Sequence, residues 1–184
     1  MRAGRLDTPA DLLVLDEEDL APRCIDWIWC GIQTKENAEP PFPGGLRNPA
    51  KVEVRAWWDE RIRQGRYLRA DGRLFHIDSA RDFTGRRAEL AITATELIGE
   101  PATYRPDGAP PRNCRVFLNY DAPWLDENGQ ATAYRIRAEV ALIETGRVQV
   151  GDLLEVDRVR YYVVDYADGT DDGIVRGLWL ERVQ

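Results

Sequence analysis

Hydrophobic and polar positions alternate along most of this chain. In LFHID, residues 74–78, Phe75 and Ile77 point one way and Leu74 and His76 the other. In YYVVD, residues 161–165, Tyr162 and Val164 do the same against Tyr161 and Val163. A period of two is the signature of a strand, because successive side chains leave opposite faces of an extended backbone. The pattern predicts strands over 11–16, 24–33, 52–58, 66–77 with a turn at 70–72, and 87–96. A second set follows over 113–118, 134–142, 153–156, 160–166 and 174–182. Residues 36–49 are too rich in proline and glycine for a helix or a central strand, and 121–131 read as a second long loop. No stretch sustains a helical period. The predicted fold class is all-β: two tandem small β-barrel or sandwich modules with long loops, one over 1–98 and one over 99–184.

The division rests on an internal repeat. Residues 51–65 align with 137–151 at a shift of 86, matching Glu53 with Glu139, Val54 with Val140, Ile62 with Val148 and Gly65 with Gly151. The alignment keeps that shift to Leu68 and Leu154, moves to 87 at Phe75 and Tyr162, and to 88 at Leu90 and Leu178. Gaps confined to turns are what strand-built units tolerate.

Composition adds a charge pattern. The net charge of −7 argues against a dedicated nucleic-acid wrapper. Residues 47–87 nonetheless carry 11 basic against 6 acidic side chains, while 1–46 carry 4 against 9 and 88–184 carry 10 against 17. The central segment is an arginine island, with Arg55, Arg61, Arg63, Arg66, Arg86 and Arg87 as candidates for contact with an acidic partner or a DNA backbone. The chain lacks an apolar run long enough for a membrane helix and a signal-peptide pattern at its start, so synthesis in a cytoplasm and no membrane contact are expected.

Catalytic signals are sparse. His76 is the only histidine, there is no G-x-S-x-G turn, and neither phosphate-binding glycine motif occurs. Cys24, Cys30 and Cys114 lack zinc-ligand spacing and read as buried apolar residues. We therefore expect no catalytic residue, no cofactor and no metal. Six tryptophans remain: Trp27 and Trp29 share a strand face, Trp57 and Trp58 point oppositely, and Trp124, in a predicted loop, is the best interface anchor.

Several motifs together resemble a known family. The opening MRAGRL, the strand WIWCGI, Val54-Arg55, IRQG at 62–65, GRLFHI at 72–77 and GRRAEL at 85–90 are similar to head-tail adaptor or stopper proteins of tailed bacteriophages. In the second half, Tyr104, Gly151-Asp152 and YVVD at 162–165 resemble the head-tail joining proteins of lambda-like phages. Such proteins are usually a single module, and this chain reads as two. The resemblance implies a virion neck protein in a homo-oligomeric ring, six copies favoured and twelve possible. Its implied partners are a portal or adaptor protein, a tail terminator or tail tube protein, and passing double-stranded DNA without sequence specificity. The loops would plug the channel or reach the next ring, with Pro41, Phe42, Gly44, Arg47, Trp124, Asp126 and Asn128 as candidates. A minor tail or baseplate protein, and a tandem carbohydrate- or protein-binding module, are the alternatives.

Overall fold

The protein is seen in a computed structural model that describes residues 6–16, 18, 20–34, 44–125, 128–167, 169 and 171–183. Its described residues fall into two units, one drawn from Met1–Asp16 and Pro22–Ile98, the other from Glu17–Ala21 and Gly99–Gln184.

In the first unit the strands are β1 (Thr8–Leu15), β2 (Pro22–Thr34), β3 (Arg47–Trp57), β4 (Tyr67–Ala70), β5 (Arg73–Arg81) and β6 (Glu89–Leu97). They close into an antiparallel barrel in the order β1-β2-β3-β6-β5-β4, with β4 paired to both β5 and β1. The inward positions of each strand are apolar: Leu12, Val52, Val54, Leu68, Phe75, Ile77, Ile92 and Ala94 are all buried. Outward neighbours such as Lys51, Glu53 and Arg55 stay wet or partly wet. Burying one such branched or aromatic side chain stabilises by about 1.5–3 kcal/mol, so this alternation is what holds each strand's register.

The second unit has β7 (Glu100–Arg105), β8 (Arg112–Leu125), β9 (Ala131–Ala141), a one-turn helix α1 (Leu142–Thr145), β10 (Leu153–Val156), β11 (Val159–Tyr166) and β12 (Val175–Arg182). Their order, β10-β11-β12-β9-β8-β7, is the same closed path as in the first unit. Its core is Tyr104, Val116, Val140, Leu154, Tyr161, Val163 and Leu178.

The chain is thus all-β, with two closed six-stranded barrels of one topology. The pairings correct the repeat alignment. Leu68 faces Phe75 in the first barrel as Leu154 faces Tyr161 in the second, so the shift remains 86 where the sequence suggested 87. The interior set of β11 is therefore Tyr161 and Val163, while Tyr162 is exposed. The two-residue turns explain the slip. Both have positive φ at each central residue, Asp71-Gly72 at 50° and 75° and Asp157-Arg158 at 47° and 65°. Asp-Gly announces such a turn, whereas arginine in that conformation gives no signal. The shift is also 86 in β6 and β12, where Ile92 and Leu178 follow equivalent partners, rather than 88. Each strand bulges at the same point, between Ile77 and Ser79 and between Val163 and Asp165.

Two further expectations are corrected. Strand β7 is absent from the sequence reading, because its proline and its short alternation hid it. Residues 121–125 and 131 are strand, so the loop expected over 121–131 shrinks to the tip of a β8–β9 hairpin.

In both barrels the connection from the third strand to the fourth crosses one barrel end and inserts an apolar plug. Ile62 joins the first core and Val148 the second. Gly65 and Gly151 then turn with φ of 82° and 96° and donate their N–H groups to Ile77 at 3.0 Å and Val163 at 2.8 Å. Deleting the plug leaves a cavity at a barrel mouth. Ile62→Ala should cost about 2–4 kcal/mol in urea unfolding of the full chain, against within about 0.5 kcal/mol for Trp57→Ala, an outward side chain that is 61% exposed.

Candidate functional site

The arginine island divides when the first barrel closes. One end of that barrel gathers the β1–β2 hairpin, the plugging connection over 58–66 and the β5–β6 loop over 82–88, since Trp57 at the end of β3 pairs with Glu89 at the start of β6. Arg61, Arg63, Arg66, Arg86 and Arg87 lie in those loops and Arg55 lies next to them on β3; Arg47, Arg69 and Arg73 belong to the opposite end.

Several of these cations are already engaged. Arg61 bridges Asp26 at 2.5 Å and Asp59 at 2.6 Å, and those hydrogen bonds hold its guanidinium firmly charged. Arg55 lies over the Phe83 ring at 5.1 Å and Arg87 over Trp58 at 5.1 Å. Arg66 donates to the Arg61 carbonyl, while its Nε is buried with no partner among the described residues. Burial, with Arg63, Arg23 and Arg61 close by, pushes the Arg66 guanidinium below its ordinary value. The β5–β6 loop is built on Asp82, whose carboxylate accepts from the backbone N–H of Thr84, Gly85 and Arg87 and so sits below the usual carboxylate range. Asp82 escaped the sequence reading although D-F-T-G is a turn signal. The arrangement can present positive charge to an anion, with Arg63 and Arg86 exposed.

Of the loop candidates, Pro41, Phe42 and Asp126 lie outside the described residues. Gly44 and Arg47 are exposed at the entry to β3, and Asn128 is exposed at the β8–β9 tip. Trp124 is corrected most. It is not in a loop but on β8, half-buried, its ring edge-to-face with Trp179 at 4.9 Å and covered by Arg135 at 4.0 Å. The sequence could not place it because Asp121 and Pro123 mask a strand whose continuation bulges between Asn119 and Ala122. Trp27 and Trp29 do share the outer face of β2, as an edge-to-face pair at 4.9 Å, and both are exposed. Trp57 faces outward and Trp58 packs on the core.

Cys30 and Cys114 are buried, and burial pushes their thiols up to about 11 and about 12, which makes them inert. Cys24 is exposed instead, near the start of β2 opposite Leu13. Among the described residues no His, Cys, Asp and Glu cluster has metal-ligand proximity. In the second barrel the buried Asp152 is a loop anchor: it accepts from Tyr104 Oη at 2.5 Å and from the N–H groups of Asp107 at 3.0 Å and Gln149 at 2.6 Å.

His76 is buried on β5, edge-to-face with Tyr67 at 5.2 Å, and its Nδ1 lies 3.0 Å from Asp78. Asp78 also holds Lys51 at 2.9 Å and the Thr95 hydroxyl at 2.7 Å; burial opposes ionisation there, and these bonds outweigh it and leave the carboxyl below its ordinary value. This is a structural network on the outside of a strand at its bulge.

Searches against protein-family models, curated proteins and solved structures found no match.

Burial holds His76 below its ordinary value of 6.5, the Asp78 contact only partly opposing it. A histidine kept neutral by folding contributes stability that is complete above 6.5 and is lost as pH falls through that value toward the folded one. Because it is the only histidine, its imidazole proton signals report one site. We expect them to titrate below 6.5, and the midpoint of thermal unfolding to fall more between pH 7 and 5 in the parent than in His76→Asn. A titration at or above 6.5 would contradict this.

Proposed function

We propose that this chain is a non-catalytic structural protein of the neck of a tailed bacteriophage, a head-tail connector of the stopper or adaptor type. It joins the portal of the DNA-filled capsid to the tail and helps retain the packaged genome. The observation that carries the reading is a closed, plugged barrel present twice in one chain. A ring subunit must set a fixed angle to its neighbour, and a closed barrel does so without offering an open sheet edge to unwanted partners.

The stretches that carry the family resemblance support it. IRQG is the plug and its glycine turn, GRLFHI is the β4–β5 turn with the inward half of β5, and GRRAEL is the end of the Asp82 loop entering β6. These are the parts that fix barrel closure and the shape of one barrel end. In this reading the chain works as a homo-oligomeric ring, six copies favoured and twelve possible, between a portal or adaptor and a tail terminator or tail tube. The net charge of −7 repels passing double-stranded DNA and lets it slide, while Arg63, Arg66 and Arg86 touch its backbone without reading sequence. The protein is made in the host cytoplasm and ends in the virion. A binding-module reading is favoured by one observation alone, the aromatic cleft on the second barrel.

Disruption of the gene in its producing phage or prophage tests the role. Electron microscopy of the lysate should show DNA-filled or leaking heads separated from complete free tails. Intact, normally tailed particles would overturn the connector assignment.

A further inference from the structure

The second barrel carries a cleft of about 390 Å³ on its outer wall, a volume within the range of small-ligand sites. Its floor is a row of outward side chains on four adjacent strands: Asn119 opposite Arg137, Arg137 opposite Trp179, and Trp179 opposite Asp165. The barrel fixes this row, since the next residues along, Ala138 and Leu178, are anchored in the core. One wall is Trp124, carried over the floor by the extended β8–β9 hairpin and held against Trp179 and under Arg135. Tyr166 forms another wall, tied down by its hydroxyl donating to the Val148 carbonyl at 3.0 Å and by Arg176 over its ring at 5.0 Å.

The polar groups in this cleft are under-used. The Arg137 Nε is buried without a hydrogen-bond partner among the described residues, and its nearest anion contact, Glu139, stands at 3.5 Å. That Nε is sealed from solvent, but the Arg137 side chain as a whole is 29% exposed, so its terminal nitrogens, with Glu139 only at that long distance, are the donors a ligand oxygen can reach. Asp165 on the other side of Trp179 has one carboxylate oxygen engaged, by the Tyr166 N–H at 2.8 Å. The cleft therefore sits among charges of both signs in equal number, Arg137 beside Glu139, Arg176 beside Asp171, and Arg135 over Trp124 with Asp165 beyond Trp179, with an amide at Asn119 and aromatic rings between them.

That combination selects a ligand class. The ligand must be uncharged, must both donate and accept hydrogen bonds along one edge, and must present an apolar face to indole rings. A phosphate or sulfate polyanion meets Asp165 and a segment, residues 88–184, with 17 acidic against 10 basic side chains. A pure hydrocarbon strips water from Arg137 and Asp165 and gives them no hydrogen bond in return. A pyranose ring satisfies all three conditions, with hydroxyls toward Arg137, Asn119 and Asp165 and C–H faces toward Trp124 and Trp179. We propose that this cleft binds a neutral saccharide. The proposal does not rest on the connector reading, and the disruption experiment above leaves it untouched.

The test is an array of defined bacterial-surface and plant oligosaccharides probed with the full chain, followed by calorimetric titration of the strongest neutral glycan. Retention of neutral glycans is expected. Trp124→Ala should weaken binding about tenfold, the worth of one aromatic contact. Asp165→Asn and Arg137→Gln, which leave the core unchanged, should weaken it several-fold, with circular dichroism confirming the fold of each variant. Trp57→Ala, on the other barrel, should bind as the parent does. A blank array overturns the proposal, as does retention only of charged glycans, or binding indifferent to both Trp124→Ala and Arg137→Gln. Should a displayed peptide library yield cleft-dependent aromatic peptides while the glycans fail, the groove would be a protein-docking site instead.

Discussion

Everything in either unit depends on closure through a strand of four residues. β4 pairs with β5 over its whole length and with β1 through only Asp11–Arg69, Leu12–Leu68 and Leu13–Tyr67. β10 closes the second barrel between β7 and β11, pairing with each over all four of its residues. Without that narrow seam each barrel would be an open sheet with two exposed edges and an interior wet on one side. An ion pair lies across the seam in each copy, Asp11 to Arg69 at 2.8 Å and Arg105 to Glu155 at 3.3 Å. These pairs are partly exposed, so each is worth little by itself. The apolar residues inside the seam, Leu12, Leu68, Tyr104 and Leu154, carry the stability.

The interior was legible in the sequence and the ends were not. Val52, Val54 and Ala56 alternate with Glu53 and Arg55 on β3, and Leu90, Ile92 and Ala94 with Glu89, the small Ala91 and Thr93 on β6, so period two and burial agree. Displacements of two residues in the repeat alignment, as at β6 and β12, did no harm to that reading, because a slip of two keeps every side chain on its face. A slip of one did harm. It exchanged Tyr161 for Tyr162 as the core residue, and its source was a turn at Asp157-Arg158 that has the backbone of Asp-Gly without the glycine. The arginine island was visible as composition, yet its division between two barrel ends depends on strand order, which no local pattern encodes. Asp82 and Asp152 went unread for a related reason: an acidic residue that caps a loop is indistinguishable in sequence from one that is merely solvated.

The two copies differ where closure permits. At the residue following the plug turn, one barrel has Arg66 and the other Asp152, both partly or fully buried and both bonded to their own connecting loop. The position demands a side chain that can satisfy loop backbone, and either sign of charge can do so, the cation by donating to a carbonyl and the anion by accepting from N–H groups. At the position of the turn the pair is glycine and arginine. In the core, by contrast, Leu68 and Leu154 are the same and Phe75 is matched by Tyr161, because volume inside a closed barrel cannot vary by much without strain or a void.

Divergence is therefore concentrated on the outer wall and the loop ends, and this is where the chain can acquire separate roles for its halves. The first barrel has its loop arginines at one end and the outward Trp27, Trp29 and Trp57 on its wall. In the second, the β8–β9 hairpin is paired out to Leu125, so that Trp124 reaches Trp179 and converts a flat strand row into a cleft. The outer part of β8 costs the barrel nothing in closure, since Ala122–Leu125 lie beyond the bulge at Asn119 and pair only with β9. The cleft is thus an addition to a scaffold that does not need it. Arg137 and Trp179 stand on the outer face of their strands, where the core places no demand on them, so the cleft residues are free to be set by what enters it rather than by what holds the sheet together.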